Sequence, residues 1–201
     1  MLNAIKCRSL HIRMFLLSII VLILFLGSTN SAFAAPFLDD PTKIVVFFSH
    51  DNMQDGSSGD QSFDSFSGTT CGVGIPTSFG SIGIKTSTDT SDGYFEFFFN
   101  RAYNESLLMG LSLSHRDDNG TALRYSAYRP LVIEVSDYQR VNTVFGPGIA
   151  LLSTDEATTF SIFIEGKANY YFVEGLFAYA NAMYDLMYDS LNIEIGVGFS
   201  Y

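Results

Sequence analysis

The eleven residues Leu191–Tyr201 constrain this chain more than any other stretch. The odd positions are large and apolar: Leu191, Ile193, Ile195, Val197, Phe199 and Tyr201. The even positions are polar or small: Asn192, Glu194, Gly196, Gly198 and Ser200. An unbroken period of two means a β-strand with one apolar face and one face that is not. A strand of this length suits a steeply tilted bilayer crossing, and this one ends on an aromatic residue.

The same alternation recurs upstream. Ile82 and Ile84 share a face in a strand expected over 79–86. Phe95, Phe97 and Phe99 oppose Tyr94, Glu96, Phe98 and Asn100, and Leu107, Met109, Leu111 and Leu113 face away from Gly110, Ser112 and Ser114. Further strands alternate through Leu123–Val135, Val141–Leu151 and Phe160–Phe172. The stretch Leu176–Leu186 is ambiguous, because Phe177 and Tyr179 fall on the same face as Asn181 and Asp185. Short links rich in Asp, Asn, Ser or Gly separate these segments at 87–92, 102–105, 115–120, 136–139, 153–157, 173–175 and 187–190, as hairpin turns require. The pattern predicts an all-β, antiparallel up-and-down β-barrel. It has eight strands if the first is 79–86, or ten if 43–49 and 69–75 also pair. In the ten-strand version 51–68 is an outer loop; in the eight-strand version 35–68 is an N-terminal extension to a barrel over 69–201. Pro130 and Pro147 each remove a ladder donor, so a bulge or kink is expected at both.

The N-terminus has the three parts of a secretory signal peptide: Lys6, Arg8 and Arg13, an apolar run over Met14–Leu26, and Ala32-Phe33-Ala34 before Ala35. The apolar run is shorter than the roughly 20 residues of a spanning helix, so cleavage after residue 34 is expected. The remaining 167 residues carry eight basic and twenty-one acidic side chains, a formal charge of −13. That sign disfavours nucleic acid as a partner. One cysteine is left, Cys71, so no internal disulfide forms and barrel closure has to supply the stability.

A soluble ligand-binding barrel also alternates, but its polar face meets water and carries many Lys and Glu. Here that face carries Gly110, Ser112, Ser114, Gly146, Gly148, Ala150, Gly196, Gly198 and Ser200, which suit a crowded, narrow lumen. The opposite face suits lipid, with Tyr in place of the absent Trp at the interfaces. Glu96, Arg124, Glu134, Glu165, Lys167 and Glu194 are expected to point inward. They would have to pair there, which predicts a plugged interior. With its closing strand and leader, the chain resembles the small bacterial outer-membrane β-barrel proteins. The resemblance implies an outer-membrane location, contact with outer-membrane lipids and lipopolysaccharide, and reading of Leu191–Tyr201 by the barrel-assembly machinery. It also implies a non-enzymatic structural or surface-interaction role.

Two histidines outside the leader bear on an enzymatic alternative. His50 follows Ser49, and His115 follows Ser114, both near the expected outer ends of strands. A hydroxyl nucleophile needs a base within hydrogen-bond reach and an acid to orient it. Adjacent residues of one strand point to opposite faces, so any such set must be assembled across strands. The reaction implied is modification of lipid A or phospholipid at the outer leaflet. The acidic stretches 51–60, 89–93 and 117–120 offer oxygen ligands, but none has the full EF-hand spacing, and turn composition accounts for them. No cofactor or metal is expected. A narrow pore is the third reading.

Overall fold

The computed structural model describes residues 43–201 except 55, 59–60, 64–65, 79, 90–92, 105, 118–119, 137–138 and 155–156. The expected signal peptide and residues 35–42 lie outside the described residues. Twelve strands are described: β1 Val45–Met53, β2 Gly56–Ser58, β3 Gln61–Phe63, β4 Phe66–Thr77, β5 Gly80–Ser87, β6 Phe95–Asn104, β7 Leu107–Arg116, β8 Gly120–Ser136, β9 Gln139–Ser153, β10 Thr158–Val173, β11 Leu176–Asp185 and β12 Ser190–Ser200. Ten of them close into one antiparallel barrel, β1-β12-β11-β10-β9-β8-β7-β6-β5-β4, with β4 pairing back to β1. The ten-strand count therefore holds. Closure leaves the barrel no open edge.

The stretch expected as an outer loop is largely paired. His50↔Thr69 continues to Met53↔Phe66, and β2 and β3 form a separate small hairpin beyond it. The antiparallel register simply runs on past the apolar residues, because backbone pairing does not require an apolar face. Among the described residues the turns fall at or beside the expected links, with pairing reaching into some of them, as at Ala102↔Leu108 and Asn104↔Leu107. Glu174-Gly175 joins β10 to β11, with Gly175 in the left-handed region at φ 83°. Between β11 and β12, Asp185 Oδ1 accepts from the Met187 and Tyr188 backbone N–H groups.

The two prolines do not produce bulges. The β8–β9 register runs unshifted from Thr121↔Ser153 to Glu134↔Arg140. Pairing lapses only where Ala127 and Tyr128 face Pro147 and Gly146, and the register shift falls instead between Glu134 and Ser136. A missing donor removes one rung without forcing an extra residue into the strand. β8 also outruns its other neighbour: β7 pairs with it only as far as Leu108↔Tyr128. Arg129–Ser136 thus pairs with β9 alone and overhangs the barrel at the end where β1 begins and β12 finishes. Glu134, expected in the lumen, is exposed on this overhang.

Inside the barrel, glycines seat aromatic rings. Phe47 lies over Gly72, Phe98 over Gly83, Phe163 over Gly148, Tyr179 over Gly196 and Phe177 over Gly198, and a Cβ on any of these glycines would overlap the ring. Each ring and its glycine are directly paired across neighbouring strands. Such cross-strand pairs are the unit of sheet stabilisation. The rings also touch one another: Phe47 is 6.1 Å from Phe98 and 5.9 Å from Tyr179, and Tyr171 is 5.2 Å from Phe177. This resolves the ambiguous strand. β11 turns Phe177 and Tyr179 inward with Asn181 and Asp185, and leaves the small residues Ala178, Ala180 and Ala182 facing out.

Candidate functional site

The barrel has two surfaces, and the outer one is apolar around its circumference. Phe48 on β1, Ile75 on β4, Ile84 on β5, Phe145 on β9, Ile162 on β10 and Ile195 on β12 are all exposed, Phe145 and Ile195 by 63% and 62%. A belt of this kind is far larger than the apolar patch a soluble monomer leaves open to water. It is the surface of a membrane-spanning β-barrel.

The lumen is lined by the alternate residues. Its termini-end half is largely apolar, although Asn142 and Asn169 are also buried and Arg140 lies over the Tyr171 ring. Ala102, Leu108, Tyr128 and Val144 form one buried cluster, and Val45, Tyr171 and Phe177 form another with Phe47 and Tyr179 packed on it. The loop-end half is charged. Lys85 Nζ lies 3.1 Å from Asp51 and 2.8 Å from Glu194. Asp51 also accepts from the Thr70 hydroxyl at 3.1 Å, and the Tyr179 hydroxyl donates to Glu194 at 2.9 Å. Lower on the β8–β10 wall, Lys167 meets Glu165 at 3.1 Å, and Glu165 accepts from the Tyr128 hydroxyl. Ser161, wholly buried, donates to Asp185. Glu96 accepts from the Tyr94 hydroxyl at 2.6 Å, and Arg124 donates to Ser114 Oγ at 2.8 Å.

Of the inward charges expected from sequence, Glu165, Lys167 and Glu194 are in ion pairs. Glu96 and Arg124 are held by hydroxyls, and Glu134 is outside. Sequence reasoning misses Asp51 and Lys85, the centre of the network. Asp51 falls in the stretch expected as an outer loop. Lys85 follows Ile84 and so falls on the inward face of β5, a parity that is legible. A cavity of about 210 Å³ remains between these side chains.

The two histidines are not brought together. His50 points outward from β1, exposed, with Nε2 3.1 Å from Ser67 Oγ on β4. Ser49, its sequence neighbour, points inward and bonds Thr70. His115 is exposed at the end of β7, with Nδ1 3.0 Å from Thr121 Oγ1 and Nε2 3.6 Å from Asp117. β1 and β7 are separated by β4, β5 and β6. Among the described residues no three His, Cys, Asp or Glu side chains converge as a metal site. Parts of the acidic stretches 51–60, 89–93 and 117–120 lie outside the described residues.

No protein-family model matches the chain, and no curated protein matches it. Solved structures do. The translocator domain of the autotransporter NalP from Neisseria meningitidis is similar at 12% identity and TM-score 0.41, covering 98% of each chain. The KdgM porin is similar at 13% identity and TM-score 0.40, over 78% of this chain and 99% of that one. The N-terminal β-barrel domain of Pseudomonas aeruginosa OprF is similar at 13% identity and TM-score 0.36, over 78% and 97%. These likenesses assign no residue a role.

Proposed function

We propose that this chain is an integral β-barrel protein of a bacterial outer membrane, non-enzymatic, with an envelope-structural or surface-interaction role. The apolar outer belt carries the reading. Strand after strand presents Ile, Val or Phe outward, while the inward charges largely pair with one another. Lipid is the solvent that such a surface fits. The partners that follow are outer-membrane lipids and lipopolysaccharide against the belt, and the barrel-assembly machinery at Leu191–Tyr201. The paired charges and inward rings support a narrow, blocked lumen over an open pore.

The test is a membrane fraction run on a gel, unheated and boiled. A mobility shift in the outer-membrane fraction is expected. Unshifted protein in the soluble periplasmic fraction would leave a soluble barrel as the better account. Planar-bilayer recording of the folded protein is expected to give a flat trace, and stepwise conductance would instead make it a narrow pore.

A second reading has one observation in its favour. Ser67 Oγ and His50 Nε2 are within hydrogen-bond distance on the outward face, the pairing a lipid A- or phospholipid-modifying hydrolase would use. Among the described residues no carboxylate is seen to reach His50 and orient it. Comparing lipid A and phospholipids from strains with wild-type chain, Ser67→Ala and His50→Ala decides it: identical lipids in all three end this reading.

A further inference from the structure

The loop-end half of the lumen separates its charges by wall. An unbroken cross-strand series runs round it: Glu194 pairs with Asp51, Asp51 meets Lys85, Lys85 pairs with Glu96, Glu96 pairs with Ser114, and Ser114 accepts from Arg124. β1 and β12 lie across the barrel from β7 and β8, four strands away in each direction. On the β1/β12 wall two carboxylates, Asp51 and Glu194, share one ammonium, Lys85. On the β8 wall, among the described residues, Arg124 has only the neutral Ser114 hydroxyl as a hydrogen-bond partner. Arg116 stands beside it on β7, over the Tyr94 ring at 4.9 Å. Glu96, held by the Tyr94 hydroxyl, stands between Lys85 and the part-buried Arg124 in this series, so the Asp51 and Glu194 carboxylates and the Arg124 guanidinium line opposite sides of one cavity.

Two further acceptors stand on the acidic wall. Asn181 pairs with Glu194 across β11 and β12, and Asn192 lies two residues before it. The Oδ1 atoms of both are shielded from solvent and have no hydrogen-bond partner among the described residues. Unsatisfied buried acceptors call for a donor. Apart from Ser114, these side chains line the same cavity of about 210 Å³. At its termini end Val45, Leu108, Val144 and Phe177 are at most 5% exposed. At the loop end Met53, Arg116, Asn181 and Asn192 are only partly buried, so solvent reaches the cavity from the loop side.

We propose that this vestibule binds a compact zwitterion of the free amino-acid type. Its carboxylate meets Arg124, and its ammonium meets Glu194, Asp51 and the Asn181 and Asn192 carbonyls. A guanidinium is the group best shaped for a carboxylate. An ammonium supplies three donors and no acceptor, matching a wall of acceptors. The site is blind at the termini end, so it holds a solute and does not pass it. This does not depend on the role proposed above, since it concerns only the folded lumen.

The test is isothermal titration of the full chain, folded in detergent micelles, with three probes. They are L-serine, N-acetyl-L-serine, which lacks the ammonium, and L-serine methyl ester, which lacks the carboxylate. Saturable binding of L-serine is expected, with each singly charged analogue weaker by about tenfold or more, the worth of one lost charge-assisted contact. Arg124→Gln should weaken L-serine about tenfold while Arg124→Lys retains most of it, and Asn181→Leu should weaken it about threefold. Heat-shifted gel mobility establishes that each variant is folded, and Asn181→Leu carries the test should Arg124→Gln fail to fold. No saturable L-serine binding up to about 10 mM, where the binding free energy falls below about 3 kcal/mol, overturns the proposal. Equal binding of all three probes does so too.

Discussion

The two halves of the lumen are built from the same strands yet solve opposite problems. Toward the termini, rings from one strand sit on glycines of the next: Phe47 on Gly72, Phe98 on Gly83, Phe177 on Gly198. Volume is the constraint there, and the small residues exist to be covered. Toward the loops, the lining is Asp51, Lys85, Glu96, Arg124 and Glu194, and charge balance is the constraint. A period of two therefore specifies which residues enter a lumen, but not what they do on arrival. Gly72, Gly83, Gly148, Gly196 and Gly198 each take a ring from the neighbouring strand. Lys85 at an inward position finds its partners on two other strands, whereas Lys167 finds Glu165 on its own.

The largest effect expected is at the charged half. Lys85→Met leaves Asp51 and Glu194 side by side without their shared cation, and should cost about 3–5 kcal/mol. Urea unfolding of barrels refolded into lipid vesicles measures it, and a loss below ~1 kcal/mol would mean that water already neutralises the pair. At the packed half, Gly83→Val drives a branched side chain into the Phe98 ring. Overpacking of this kind should cost about 1–3 kcal/mol. Adding Phe98→Ala to the same chain should recover part of that loss, and a double variant no better than Gly83→Val would show that the backbone, not the ring, resists the change. The smallest effect lies outside both halves. Leu131 on the β8 overhang is 58% exposed, so Leu131→Ser should stay within about 0.5 kcal/mol. A larger loss in vesicles than in detergent would place the overhang in contact with lipid.

Much of the fold is legible in the sequence. The lipid-facing rows of β9, β10 and β12 follow directly from alternation, because side chains of a strand can only point to one face or the other. The hairpin positions follow from Asp, Asn, Ser and Gly in the links. The prolines are a poorer guide: Pro130 and Pro147 suggest bulges, but the ladder loses a rung and keeps its register. The first strand is less legible, since Ile44–Phe48 is continuously apolar and hides its parity. Only pairing with β12 and β4 shows that Phe47 and Ser49 face in while Phe48 and His50 face out.

Alternation is written in the chain, and with it come the barrel class, the belt and the identity of most inward side chains. Local stereochemistry suffices for that, because the strand period depends on neighbouring residues alone. Assembly of the strands settled the rest: the closure at ten strands, the seating of each ring on its glycine, and the meeting of Lys85 with Asp51 and Glu194 from three different strands. These depend on register between strands, in which a shift of one residue exchanges the inner and outer faces. They depend also on which strands end up opposite one another, and ring closure alone settles that.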